Sequence, residues 1–286
     1  MYYFIEAHRP HFHLAVMCRV LEVSESAYHS WRRRPTSKHH QQDVLLQQHI
    51  RTAHQRSKGR YGAPRIHADL QAVGLRVSRK RVARLMQTCG LRAKGSRRFV
   101  RTTQSDASLP VCPNLLNREF DVQQPNTVFA SDITYIPTRD GWLYLAVTLD
   151  LYSRSVVGYA MDTQMPTTLP LDALQMAVAA RRPPPGLIHH SDRGGQYASR
   201  RFQAELRQIG AQGSMSRKGD CWDNAVLESF FSSLKRELLD GQVFKSRTVA
   251  RREIFEYIEV FYNRQRRHSS LDYLTPLEFE RQAEAA

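Results

Sequence analysis

Residues 186–197 read Gly-Leu-Ile-His-His-Ser-Asp-Arg-Gly-Gly-Gln-Tyr, and residues 223–238 read Asp-Asn-Ala-Val-Leu-Glu-Ser-Phe-Phe-Ser-Ser-Leu-Lys-Arg-Glu-Leu. The first is a short apolar run that turns polar at Asp192, as a buried strand does at its end. The second repeats Leu227, Phe231, Leu234 and Leu238 at three- and four-residue steps, the pattern of an amphipathic helix, with Asp223 at its N-cap. At roughly 100° per residue, Asn224, Glu228 and Lys235 fall along one border of that apolar stripe, where they face a cleft. A lone Glu and Lys so placed ordinarily form a solvated helix face, so the reading depends on what accompanies them.

Upstream, Thr-Val-Phe-Ala-Ser-Asp-Ile-Thr-Tyr-Ile-Pro-Thr at 127–138 is rich in β-branched and aromatic residues. It predicts a central strand with Asp132 in its middle and Pro137 at its end. An aspartate is disfavoured in a buried strand unless its charge is paired or bound to a metal. Asp132 on a strand, Asp192 just past a later strand and Glu228 on a helix therefore suggest a site for hard divalent cations. Mg²⁺, with Mn²⁺ as its substitute, prefers carboxylates, waters and phosphate oxygens, and two such ions about 4 Å apart clamp an in-line phosphoryl transfer.

Asp132 in Ser-Asp-Ile-Thr-Tyr, Asp192 in His-Ser-Asp-Arg-Gly-Gly-Gln-Tyr, and Glu228 in Asp-Asn-Ala-Val-Leu-Glu-Ser-Phe-Phe, with thirty-five residues between the last two, resemble the catalytic triad of the transposase and retroviral integrase superfamily. The chain is similar to the OrfB products of insertion sequences of the IS-three family. Tyr-Gly-Ala-Pro-Arg-Ile-His at 61–67 and Tyr-Asn-Arg-Gln-Arg-Arg-His-Ser-Ser-Leu at 262–271 extend the resemblance over nearly the whole chain. It implies a ribonuclease-H-like core and gives Lys235 a part in holding the terminal DNA of the transposon. It also implies homo-oligomers that pair two ends, and an upstream OrfA segment joined by frameshifting. Read from Met1, the chain is expected to act without that segment, which would limit its own recognition of the transposon ends.

Apolar residues make up 41% of the 286, ordinary for a globular protein. The net charge of +15 is segregated. Residues 1–100 hold 20 Lys and Arg against 5 Asp and Glu, whereas residues 101–286 hold 22 of each. A segregated basic region is the footprint of a module that neutralises phosphates. Cys18, Cys89, Cys112 and Cys221 form no Cys-x-x-Cys pair, so neither a zinc site nor a disulfide framework is indicated. With no membrane-length apolar run and no signal-peptide core, the expected location is the cytoplasm, associated with the nucleoid.

Four regions are expected: a basic helix-turn-helix DNA-binding region at 1–91, a linker at 92–125, the catalytic core at 126–240 and a helical extension at 241–286. In the first, helices at 13–21 and 25–34 flank Glu-Val-Ser, with Ser24 as N-cap, and leave Arg32, Arg33 and Arg34 exposed. A helix from Asp43 to about His54 follows, then a glycine-bearing basic turn, then a helix from Arg65 to Val73 led by Pro64. Ser78 caps a helix from Arg79 to Cys89 that Gly90 ends. Arg79, Lys80, Arg81 and Arg84 crowd its first turns, where a recognition helix meets a major groove or its phosphates. The linker loses periodicity and carries Pro110, Pro113 and Pro125.

The core is expected to run as strands at 127–138, 142–151 and 155–161, a helix at 168–180, a strand at 186–190, a helix at 199–209 and a strand at 211–215. Three strands and a helix, then alternating strands and helices, match the order of an α/β ribonuclease-H-like mixed sheet. After it, 246–262 reads as a helix and Thr275-Pro276-Leu277-Glu278 as a capping box. Arg264, Arg266, Arg267 and His268 between them read equally as solvated surface or a phosphate-binding loop.

Smaller features stay open. His189 and His190 read as strand-end structural residues or as contacts to water or phosphate. Arg193, Gly194 and Gly195 form a turn whose amides either approach a phosphate or simply connect strand to helix. Asn224 is placed to hydrogen-bond Glu228 or DNA, and Trp222 reads as core or stacking platform. Double-stranded DNA is the expected partner and transposition the expected function: nicking of transposon ends and strand transfer. A nuclease of the same fold and a DNA-binding regulator with an inactive domain are the rivals. The complete triad speaks against the second, and the motifs flanking it against the first.

Overall fold

The computed structural model describes residues 1–33, 37–95, 112–117, 120–217 and 224–285. Arg34, Pro110, Cys221, Trp222 and Asp223 lie outside the described residues, as does most of the predicted linker.

Six helices come first: α1 (Tyr2–His8), α2 (Leu14–Val20), α3 (Glu25–Arg33), α4 (Lys38–Arg56), α5 (Ala63–Ala72) and α6 (Arg79–Thr88). The caps are those the sequence predicts. Ser24 Oγ accepts from Ala27 N–H, Ser78 Oγ from Arg81 N–H, and Pro64 sits in the first turn of α5. Helix α1 was not expected, and α4 starts five residues earlier than predicted. Ser37 caps α4 ahead of a polar first turn and a half, where hydrophobic periodicity has nothing to report. Ile5, Met17, Cys18 and Tyr28 give α1–α3 a small core of their own. By contrast, Ile50, Tyr61, Ile66, Leu70, Val82 and Leu85 of the α4–α6 region share one continuous core with the sheet and the C-terminal helices.

The sheet contains β1 (Val128–Thr138), β2 (Gly141–Asp150), β3 (Val156–Asp162), β4 (Ile188–Ser191) and β5 (Gln212–Met215) in the order β3-β2-β1-β4-β5. The first three are antiparallel, and β4 and β5 run parallel to β1. This is the ribonuclease-H-like mixed sheet that the order of elements predicts. Strand β1 does not end at Pro137 but continues to Thr138. The carbonyl of Pro137 accepts from Phe244 N–H, so the side of β1 that lacks an N–H faces the edge that β4 has already left, where no ladder bond is lost.

Helix α7 (Thr168–Arg181) covers one face with α8 (Gly195–Ala198) and α9 (Arg200–Gln208). A Cβ on Gly158 would stand 2.1 Å from the carbonyl of Ala173, so the approach of α7 to β3 requires glycine there. Helices α10 (Ala225–Leu234) and α11 (Arg247–Phe255) cover the other face, and α12 (Pro276–Glu284) begins with the expected capping box at Thr275 and Glu278. No helix among the described residues is long and apolar enough to cross a membrane.

Two corrections follow from π-helical turns at Lys235–Leu239 and Glu256–Tyr262. An uninterrupted α-helix would bury Leu238; the wider turn after Leu234 instead buries Leu239 and Glu237, the latter 2% exposed. The basic loop is likewise neither solvated nor a phosphate cradle at its centre. Arg266, 4% exposed, donates from Nε and Nη2 to the Glu237 carboxylate, and Arg267 donates to Asp69 of α5. His268 is buried beside them.

Candidate active site

Strand register brings the first two carboxylates together. Ser131 pairs with Ser191 in the last step of the parallel β1–β4 ladder, where neighbouring strands lie about 4.8 Å apart. Asp132 and Asp192 are the next residues on the two strands, at the point where β4 leaves the sheet. Side chains alternate along a strand, so Asp132 shares a face with Ala130 and Ile136, which pack in the core that α10 covers. Glu228 and Lys235, on the helix and its π-turn, lie over that face.

The carboxylates have little compensation from the chain. Asp132 Oδ1 accepts from the N–H of Ile133 (2.7 Å), and Asp192 Oδ1 from the N–H of Gly194 (2.8 Å). Burial first and the Asp192 charge second push Asp132 well above the usual carboxylate range, with Glu228 adding a further like charge and Lys235 opposing it. Burial also raises Asp192, against the Gly194 N–H. Gly194 is required at this turn, because a Cβ there would sit 2.8 Å from Asp192 Oδ1. The buried hydroxyl of Tyr197 finds no hydrogen-bond partner among the described residues and lies in the field of both aspartates.

Two half-buried like-charged carboxylates suit a hard cation, which would satisfy the oxygens and remove their repulsion. Glu228 is exposed and close enough to act on Asp132. Among the described residues no three acidic, histidine or cysteine side chains are drawn close enough together to hold one ion.

Residues 122–221 and 228–283 match the integrase core domain family, and residues 40–99 match an HTH-like domain. Transposase InsF of insertion sequence IS3A, from Escherichia coli (strain K12), is 46% identical over 286 residues, covering 98% of this chain and 98% of its own length. The chain belongs to the IS3 transposase family. The uncharacterized 31 kDa protein of insertion element IS600 from Shigella sonnei is also 46% identical, over 92% of this transposase and 97% of its own length. The HTLV-2 integrase catalytic core domain, solved in complex with magnesium as a dimer, aligns with a TM-score of 0.41 and 17% identity over 54% of this chain and 96% of its own.

The remaining candidates in this transposase fall into distinct settings. Lys235 is half-buried, with Nζ 4.8 Å from the ring centroid of Tyr135; burial lowers its pKa and the charge of Asp132 opposes that shift. Asn224 is buried at the N-cap position of α10 and makes no side-chain capping bond. His189 and His190 belong to the core: His189 Nε2 is bonded to Ser131 Oγ (2.8 Å), and His190 to Ser214 and Ser216. Burial holds His189 near pKa 3, hence neutral. Arg193 ties the turn after β4 to Ser216 O (2.7 Å).

On α6, Arg79 and Lys80 are exposed, whereas Arg81 Nε and Arg84 Nη2 donate to the Asp43 carboxylate of α4 at 2.8 and 2.7 Å. Sequence reasoning missed the Tyr197 hydroxyl, because a tyrosine at a strand-to-helix connection looks like core. It also missed Glu237, whose inward turn depends on the π-helical step.

Proposed function

We propose that this IS3-family transposase nicks the ends of its element and joins them to target DNA as an Mg²⁺-dependent polynucleotidyl transferase. Asp132, Asp192 and Glu228 are its catalytic and metal-holding residues, and Mn²⁺ substitutes for Mg²⁺. The observation that carries this reading is the juxtaposition of Asp132 and Asp192 one residue past the last β1–β4 pair, with both carboxyls raised by burial and Asp132 by its like-charged neighbours. A bound pair of Mg²⁺ ions would polarise the scissile phosphate and favour deprotonation of the attacking water or 3′-hydroxyl.

The protein's own groups position the reaction. The Gly194 N–H and the β1–β4 ladder fix the carboxylates, Tyr197 offers a buried O–H to an oxygen in the site, and Lys235 holds a phosphate of the terminal DNA. Asn224 lies one turn before Glu228 and bonds either that carboxylate or DNA. Arg79, Lys80, Arg81 and Arg84 present a basic face to duplex DNA, with Arg81 and Arg84 also anchored to Asp43. We assign residues 1–91 to DNA binding, 92–125 to a linker, 126–240 to the catalytic core and 241–286 to its extension. The partners are transposon-end and target DNA, further copies of the chain and the OrfA product, in the cytoplasm on the nucleoid. Strand cleavage and joining on labelled end DNA, with and without Mg²⁺, tests the reading: metal-independent joining, or joining by Asp132→Asn, overturns it.

A further inference from the structure

The tip of the β1–β2 hairpin is held more firmly than a surface turn requires. Thr138 Oγ1 donates to Gly141 O (2.5 Å), Arg139 N–H to Phe244 O (2.9 Å) and Phe244 N–H to Pro137 O (3.2 Å). Arg247, at the start of α11, donates its N–H to Asp140 Oδ2 (3.0 Å) and its Nε to Trp142 O (3.2 Å). Gly141 has φ +103, and a Cβ there would meet Arg247 Nη2 at 2.9 Å. The chain after the π-turn thus clamps the hairpin, and what the clamp presents is Trp142, 49% exposed.

The Trp142 ring meets Tyr135 edge-on, with centroids 5.0 Å apart and planes at 81°. Lys235 Nζ lies 4.8 Å from the same Tyr135 ring, so indole, phenol and ammonium form one contiguous group. Tyr135 is three residues, about 10 Å, along β1 from Asp132 and leaves the opposite face of the strand; Lys235, whose charge acts on Asp132 and whose Nζ meets the Tyr135 ring, joins the two. At about 3.4 Å per nucleotide along a strand, the group lies within about three nucleotides of a phosphate held at the carboxylates.

We propose that Trp142, backed by Tyr135 and Lys235, is a stacking platform for one unpaired nucleobase near the scissile phosphate. The proposal rests on the reading of the carboxylate site given above. An exposed indole offers an apolar face that stacks on any base, and the neighbouring ammonium matches the phosphate that base carries. A base within a duplex has both faces covered, so the platform selects a strand frayed at the transposon end. The clamp supplies the preorganisation, because a fixed ring loses little freedom on stacking.

The test uses the full chain, with Ca²⁺ in place of Mg²⁺ to hold the complex uncleaved, and a short duplex ending in an unpaired tail that carries 2-aminopurine. Stacking quenches this base. We expect wild type to quench, Trp142→Phe to keep most of the quenching, and Trp142→Ala to lose it. Trp142→Ala should bind the tailed duplex about tenfold more weakly while binding a fully paired duplex as wild type does. Unchanged quenching in Trp142→Ala overturns the platform. So does an equal loss on the paired duplex, or an equal loss in Trp142→Phe, since either marks a packing role. Nicking by Asp132→Asn in Mg²⁺ would overturn the carboxylate reading instead, and the quenching assay does not depend on it.

Discussion

Two acidic clusters in this protein, one half-buried and one buried, have opposite electrostatics. At the end of β1, Asp132 and Asp192 face each other with one backbone N–H apiece, and both are raised. At the π-turn, Glu237 receives Arg266 from two nitrogens, the hydroxyl of Tyr257 (2.9 Å) and, at 3.6 Å, Arg65 of α5. Burial alone would raise Glu237, yet these partners hold it below the usual carboxylate range. Partners in the chain, not burial alone, therefore set the direction of each shift. Glu237 has its counter-charge in the chain, whereas on our proposal Asp132 and Asp192 leave most of that place to a metal ion.

The largest expected effect comes from the uncompensated cluster. Asp132→Asn, Asp192→Asn and Glu228→Gln should each abolish cleavage and joining while leaving duplex affinity within about twofold. Asp132→Asn should also raise the Tm of the metal-free protein, because it removes a like charge from a buried pair. Substantial turnover in any of the three would exclude that residue as an essential ligand, and a lower Tm in Asp132→Asn would mean that the aspartates are not in conflict.

Glu237→Ala should do the reverse, costing about 3–5 kcal/mol of stability by leaving Arg266 buried without its partner. The loss should be visible as a lower denaturation midpoint with the carboxylate triad intact. Because Arg65 belongs to α5 and Arg266 to the C-terminal extension, the same change should loosen the α4–α6 helices from the core, which limited proteolysis would report. A midpoint within 1 kcal/mol of wild type would show that the network carries little of the fold.

Magnesium sharpens the comparison further. A ligand that binds only the folded state stabilises it by about 2.7 kcal/mol at a hundredfold excess over its dissociation constant. Wild type and Glu237→Gln should both gain thermal stability from Mg²⁺, and Asp132→Asn should gain none. An equal gain in all three would place the ion elsewhere.

Asp150 at the end of β2 is an intermediate case, buried and, among the described residues, satisfied by the N–H groups of Asn126 (2.9 Å) and Tyr152 (3.0 Å). Burial raises it to about 6. Between its unfolded value near 3.9 and that folded value, the native state holds the extra proton. Its contribution to stability is therefore complete at the acid end and lost as pH rises through 6. Glu237, which is lowered, contributes in the opposite sense, losing stability as pH falls below the usual carboxylate range. Asp150→Asn should flatten the loss between about pH 4 and 6, by about 2 kcal/mol, in urea titrations. An unchanged profile would assign that titration to other groups.

How much of this could be read beforehand follows the same physics. Strands, caps and the candidate carboxylates announce themselves through local patterns: alternation at β1, serine before α6, and an aspartate in the middle of a strand otherwise rich in β-branched and aromatic residues. The strand order then puts Asp132 beside Asp192. The Glu237–Arg266 pair left no such trace, because its partners are 29 residues apart and a one-residue register shift in a π-turn decides which side chain points inward. Trp142 was equally mute, since exposure and a neighbouring lysine are properties of the folded surface.

The smallest expected effect extends the comparison to the basic helix α6. Arg81 and Arg84 are both committed to Asp43, whose carboxyl they hold below its usual range, while Arg79 and Lys80 are exposed. Each neutralised phosphate releases counterions, so removing one phosphate contact should reduce the slope of log affinity against log salt by about 1. Arg79→Ala and Lys80→Ala should each show that reduction on duplex DNA with no change in Tm. Arg81→Ala should lower the Tm as well, because it strips Asp43 of one of its two arginine partners on α6 and loosens α6 from α4. If instead Arg81→Ala changes only the salt slope and Arg79→Ala changes nothing, the bond to Asp43 is dispensable and the DNA-facing side of α6 is the one that carries Arg81.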